Sequence, residues 1–509
     1  MDSGDPEEGL RRRRSRRRRR SRRRHREEDR GGISLAALGL LRNLPGLIVV
    51  GAFFLVLLVA PLPMGANRDW AWAPLALAVG VIALLCATGL GGRVALAVSE
   101  EERRPLLILV GCFVFVVAVA LLQMSALVPK PPSAWLYDRA REILGQARNA
   151  VPTLAIDASR NVLLKCFACG LIFLIARSLC QNQAPARMLL YVLVASAVLV
   201  MTYAILMHVS TNSCYVGGYL KKQGEWFASN KCTMSGTFVN SNSFGCYMGM
   251  GIVAALALLF SPGGRSRRDD DEDDTPYVSA VTGPRMALVA ISLYLLGGLL
   301  LSSSRAGLPA TFVGLMLLAY LLARGRQRED FNVKVAVAVV AVIVVVVMVV
   351  AGSAFFSKLA NFAQAGSVNR LIIWRTALEA IALSPWLGWG LGSFADIYTI
   401  LQPVEIPIAN DLAHSTPLET IVELGIPTAF VAFIVVLLPW GMCWRGGRRA
   451  ASRSYLPAAA FALAAVPILH STVDFSLQMP AIAFVTSAFL GMGWAQTVGY
   501  DEQAPAAEA

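Results

Sequence analysis

Residues 413–440 read AHSTPLETIVELGIPTAFVAFIVVLLPW. A polar segment with one histidine and two acids runs without a break into an apolar stretch that contains no charge. The apolar part is long enough for a helix to cross about 30 Å of hydrocarbon, because a spanning helix needs roughly 17 to 25 predominantly apolar residues. Only a helix satisfies every backbone group within such a segment, so the polar head belongs at a membrane surface.

Further runs of this kind lie on either side. The chain has 509 residues, of which 56% are hydrophobic and 16% charged, with a mean hydropathy of +0.57. That balance excludes a single soluble core. The runs do not alternate, which excludes a membrane β-barrel. The fold class is therefore all-α, a polytopic helical membrane protein with about twelve transmembrane helices and a large periplasmic loop. Spans are expected near 43–63, 70–90, 105–127, 161–180, 188–209, 241–262, 285–302, 306–323, 333–353, 419–440, 455–470 and 480–498.

Charge sets the expected orientation. With the amino terminus inside, the cytoplasmic turns hold Arg93, Arg103 and Arg104; Arg177 and Arg187; Arg265, Arg267, Arg268 and Arg285; Arg324, Arg326, Arg328 and Lys334; and Arg445, Arg448, Arg449 and Arg453. The opposite loops are poorer in Lys and Arg for their length, as the positive-inside bias requires. Residues 1–42 then form a basic, disordered cytoplasmic tail, 43–498 the transmembrane catalytic domain, and 499–509 a second cytoplasmic tail. Loops 128–160, 210–240 and 354–418 face the periplasm, and 263–284 is a cytoplasmic linker. Fourteen arginines between Arg11 and Arg30 read as a segment attracted to anionic lipids rather than as a nucleic-acid arm.

Seven of the nine cysteines lie in or beside apolar runs, where they behave as small hydrophobes. Cys214 and Cys232 share a polar loop and can form a disulfide if that loop is periplasmic. In loop 128–160, the polar stretch from Tyr137 to Arg148 reads as a short interfacial helix.

The candidate chemistry lies in the outer segments. Asn240 and Asn242 enter a span together with serines and aromatics; such side chains either bond sugars or cap the helix, and capping alone would explain Ser241 or Asn242. Arg305 is the one arginine in a short outer link; its guanidinium suits a lipid phosphate, and snorkelling to headgroups is the alternative. Asn369 to Ala382 reads as an amphipathic helix with Trp374, Leu378 and Ile381 near one stripe. Arg370 and Trp374 are spaced to stack and Arg375 and Glu379 to pair, with Ser384-Pro385 ending the helix. Gly388, Gly390 and Gly392 permit close backbone approach, while Trp386, Trp389 and Phe394 anchor the turn or stack on a sugar.

Thr416, Pro417 and Glu419 fit a helix start, with Thr416 as N-cap and Glu419 as its capping-box partner; Glu423 follows one turn later. His414, just before that helix, is suited to take a proton from a hydroxyl or to serve as a fixed structural donor. His470 and Asp474 fall one turn apart if their helix continues, and can pair. No local ligand spacing supports a metal, and no cofactor is expected.

Taken together, Gly236–Phe244, Ser304-Arg305-Ala306-Gly307, Arg370 to Trp374 with Pro385–Gly390, Ala413–Ser415 through Glu423–Gly425, and His470–Pro480 resemble the O-antigen ligase and O-antigen polymerase superfamily of integral membrane glycosyltransferases. The resemblance implies an undecaprenyl-diphosphate-linked oligosaccharide or polysaccharide donor, with Arg305 and Arg370 near its diphosphate, Arg375 as a further candidate, and His414 near the acceptor. The family commonly has Asn after the loop histidine, where this chain has Ser415. The implied enzyme is a metal-independent glycosyltransferase of a bacterial inner (cytoplasmic) membrane. Its acceptor is another polyprenyl-linked glycan in a polymerase, lipid A core in a ligase, or protein in a further relative. A membrane transporter is the reading from a different class, but it calls for charges or broken helices at mid-span, and the spans are almost free of charge.

Overall fold

A computed structural model describes residues 46–89, 98–145, 150–211, 234–261, 277–325, 366–404, 410–449 and 454–502. The amino-terminal tail, the expected span at 333–353, and Cys214 and Cys232 lie outside these residues.

The described residues are helical. Helix α1 is Gly46–Val59, followed by α2 Asp69–Ala87, α3 Glu100–Gln123, α4 Ala134–Leu144, α5 Ile156–Leu179, α6 Gln183–Thr211, α7 Ser241–Leu259, α8 Tyr277–Leu301 and α9 Gly307–Gly325. Then come α10 Gly366–Leu383, α11 Phe394–Ile400, α12 Thr416–Arg449, α13 Leu456–His470 and α14 Pro480–Glu502. Among the described residues nine helices are long and apolar enough to cross a membrane, and α1 and α13 are shorter apolar helices. Helix α8 begins at Tyr277, inside the stretch 263–284 expected as a linker, and 262–276 lie outside the described residues.

Helices α7, α13 and α14 form the interior. Helix α7 packs on α6, α8, α9 and α13, while α14 packs on α5, α12 and α13. Small side chains allow this in a solvent that supplies no hydrophobic drive between helices. Alanine is the commonest residue of helix α13, and a Cβ added to Gly491 of α14 would lie 2.3 Å from the Phe173 carbonyl oxygen of α5. At one end of the bundle the ion pair of Arg177 and Glu102 is buried, and Trp494 Nε1 donates to Glu102 Oε2 at 3.0 Å. Arg177 therefore adds no free positive charge there, although by sequence it counts toward a basic turn.

The other end carries the long loops. Helix α4 has no buried residue and carries the exposed Trp135; it begins three residues before the expected stretch Tyr137–Arg148, and 146–149 lie outside the described residues. Helix α10 ends at Leu383, before Ser384-Pro385, but its packed stripe is Ile373, Ala377 and Ala380. Leu378 faces outward at 58% exposure. Trp374 and Ile381, expected on the same stripe, pack against this cluster, so of the three only Leu378 is turned away from it.

The glycine-rich turn after α10 holds a break in α12. Gly425 lies at φ 73° and ψ 164°, where the helix cannot continue its own bonding. Residues 385–390 take over: Ile426 N–H donates to Pro385 O, Trp389 N–H to Val422 O and Gly390 N–H to Glu423 O. Gln123 at the end of α3 completes the joint, its Nε2 donating to Leu387 O and Glu423 O while its Oε1 accepts Leu391 N–H. Trp389 is buried with its indole N–H on Ala380 O, so it anchors the turn, whereas Trp386 is 77% exposed.

Gly388 has φ +72°, and a Cβ there would meet Glu423 O at 2.3 Å. Gly388→Ala should lower stability in detergent by about 2 kcal/mol or more, since both backbone conformation and space oppose it. Gly51→Ala in α1, with nothing within 4 Å, should stay within about 0.5 kcal/mol in the same thermal-unfolding measurement.

Candidate functional site

Helix α13 stops at His470, and a turn leads through a short 3-10 segment, Ser476–Gln478, into α14. Asp474 occupies this turn with no solvent exposure. A carboxylate so placed must be compensated by cations or hydrogen bonds. Its Oδ2 accepts Asn242 Nδ2 at 2.7 Å and Arg370 Nη2 at 3.1 Å. Its Oδ1 accepts the Phe475 N–H at 2.9 Å and faces His414 Nδ1 at 3.8 Å. Burial pushes the Asp474 carboxyl up, but His414, His470 and Arg370 outweigh it and hold it below the usual carboxylate range.

Three distant segments thus meet on one anion. Asn242 reaches it because Asn240, not Ser241 or Asn242, caps α7, its side chain accepting Asn242 N–H at 2.6 Å. Arg370 projects from the first turns of α10. His414 lies in the loop before α12 at φ +52°, unusual for a residue with a side chain and costing about 1 kcal/mol. Its side chain is 27% exposed and that of Arg370 31%, so both are open to a ligand. Among the described residues His414 Nδ1 has no hydrogen-bond partner, and the Phe475 ring sits 5.0 Å from its imidazole.

His470 and Asp474 do not pair, because the helix ends between them. The His470 ring is buried and bonded at both nitrogens, Nδ1 to Ser476 Oγ at 2.9 Å and Nε2 to Ser304 Oγ at 3.4 Å. Ser304 in turn accepts Gly307 N–H at the start of α9. Arg305, the next residue, is exposed, and among the described residues nothing bonds its guanidinium. Arg375 pairs with Glu379 at 3.2 Å on the exposed side of α10, apart from the Asp474 cluster. Trp374 does not stack on Arg370; its Nε1 donates to Ala413 O at 3.0 Å.

The expected capping box at Thr416 is not formed. Thr416 N–H goes to Ser471 O at 2.9 Å, and Glu419 Oε2 accepts Ala413 N–H at 2.7 Å. Tertiary contact with the 471–474 turn has displaced the local cap. Glu423, buried one turn on, accepts Phe394 N–H at 3.3 Å. Among the described residues no group of three or more His, Cys, Asp or Glu is placed to hold a metal ion.

Sequence reasoning weighed Asp474 only as a partner of His470 and missed Gln123. The one signal for Gln123 was a lone amide closing an otherwise apolar run.

Fold and site together define a multi-pass helical membrane protein with a charged cluster gathered from loops at one end of its bundle. Residues 290–433 match the O-Antigen ligase family model (Wzy_C), so this part of the chain is similar to that family. The matched segment contains Arg305, Arg370, His414, Glu419 and Glu423; Asn242, His470 and Asp474 lie beyond it. No curated protein matches the chain.

Because the folded Asp474 carboxyl is depressed, its contribution to stability is complete above the unfolded value of about 4. It fades as pH falls through the lower folded value. Thermal unfolding between pH 3 and 6 should show this loss in the parent and a flatter profile in Asp474→Asn.

Proposed function

We propose that the chain transfers a glycan from an undecaprenyl-diphosphate-linked donor to a sugar hydroxyl at the periplasmic face of a bacterial inner membrane, with inversion at the anomeric carbon. The observation that carries this reading is the pair His414 and Arg370 held on one buried carboxylate, both partly exposed, at the loop-bearing end of the bundle. The family match over 290–433 supports it.

Asp474 faces Nδ1 of His414, which favours a proton on that nitrogen and leaves Nε2 free to accept one from the acceptor hydroxyl, the division of labour of a carboxylate–histidine pair. The separation of 3.8 Å is longer than a hydrogen bond, and such contacts commonly tighten when substrate binds. As the hydroxyl oxygen attacks, the new glycosidic bond forms and the bond from the anomeric carbon to the diphosphate breaks. The electron pair leaves with undecaprenyl diphosphate and the proton goes to His414.

Arg370 spends one Nη2 contact on Asp474; a guanidinium has five donors, so others remain for the departing diphosphate. Arg305 supplies a second, exposed guanidinium beside Ser304. In-line displacement accounts for inversion, and a diphosphate needs little acid assistance to depart.

We take the acceptor to be a second polyprenyl-linked glycan, making the activity a polymerisation for O-antigen or exopolysaccharide. Lipid A core and protein are the competing acceptors. The topology proposed with it has the amino terminus in the cytoplasm, its arginines against anionic lipids.

Purified protein supplied with a polyprenyl-diphosphate glycan should move sugar onto one of the three acceptors, and the one that becomes labelled decides among them. His414→Ala should reduce transfer about 100-fold or more. Arg305→Ala and Arg370→Ala should each reduce it about tenfold or more. Parent-like transfer by monodisperse His414→Ala would refute the mechanism.

A further inference from the structure

His414 occupies the left-handed region of backbone space. A residue with a side chain stays there only where its surroundings fix both neighbouring peptides. On the amino side Ala413 is fully buried; its N–H donates to Glu419 Oε2 at 2.7 Å and its carbonyl accepts Trp374 Nε1 at 3.0 Å. On the carboxyl side Ser415 O accepts Glu419 N–H at 3.0 Å, and Thr416 N–H is held by Ser471 O at 2.9 Å.

Glu419 therefore grips the chain twice, by its side chain just before His414 and by its backbone just after. The carboxylate is buried one turn into α12, and its bond to Ala413 takes the place of the helix cap that the local sequence offers. From this we infer that Glu419 is the positioning residue for His414, setting the imidazole against Asp474 by accepting the Ala413 N–H rather than by exchanging a proton with substrate. The inference rests on the reading of His414 as the base of the proposed transfer.

The two roles separate chemically. A glutamine amide oxygen can accept the same N–H but cannot act as an acid or base, whereas alanine can do neither. In the full-length purified protein, Glu419→Ala should lower kcat about tenfold or more with the donor KM little changed, and Glu419→Gln should retain activity within about threefold of the parent.

A second readout does not involve glycan transfer. Diethyl pyrocarbonate modification of His414, followed by peptide mass spectrometry, should change in rate about threefold or more in Glu419→Ala and match the parent in Glu419→Gln. Trp374→Phe, which removes the donor on the other side of Ala413, should likewise shift the rate about threefold or more from the parent's, and covers the case in which the alanine variant does not remain monodisperse.

Parent-like kcat and His414 reactivity in folded Glu419→Ala would overturn the inference. So would a Glu419→Gln form as inactive as the alanine form while its His414 reacts like the parent's. If His414→Ala itself transferred glycan normally, the catalytic reading would fall, while the modification rates would still decide whether Glu419 sets the position of the imidazole.

Discussion

A carboxylate with no access to water is the constraint on which the loop-bearing end of this protein depends. Asp474 is buried in the turn between α13 and α14, and leaving it uncompensated would be costly in any low-dielectric setting. Its partners come from Asn242, 232 residues earlier, and Arg370, 104 residues earlier, with His414 on its other oxygen. Each belongs to a different helix or loop, so the anion can be satisfied only when the bundle has assembled. The same assembly gathers the candidate site.

The bundle interior serves that requirement. Helices α7, α13 and α14 are rich in alanine and glycine and approach closely, which fixes the relative heights of the α7 start, the α13 end and the α14 start. Asn240 then caps α7 and frees Asn242 to point at Asp474. The α8–α9 link is tied in through Ser304 and His470, and Arg305, the next residue, is exposed.

The break in α12 divides that helix by function. Before Gly425 its turns carry Glu419 and Glu423 and hold the His414 loop; after it the helix is apolar for most of its length. In a continuous helix Val422 O would accept Ile426 N–H, and the break frees it; Pro427 has no N–H to offer Glu423 O, so both carbonyls bind the 385–390 turn. Glycines with positive φ and the buried Trp389 are what that junction requires. Local strain at His414 and Gly425 is thus balanced by contacts from distant segments, a pattern expected where function and not propensity sets the backbone.

Much of this protein was legible in its residues alone. Apolar length and composition determined an all-α, multi-pass membrane architecture, because lipid forces each segment to bond its own backbone. Local spacing determined the end of α10 at Ser384-Pro385 and the Arg375–Glu379 pair, since both are settled within a turn or two of chain. The motif order pointed to His414, Arg305 and Arg370. Only the tertiary structure decided which polar residues meet. It gave Asp474 to Arg370, Asn242 and His414 instead of His470, moved Glu419 from a helix cap to the Ala413 peptide, turned Leu378 of α10 outward, and placed Gln123 in the α12 joint. Hydrogen bonds and ion pairs between segments a hundred or more residues apart leave no periodic trace in a sequence, because their geometry exists only after the helices have packed.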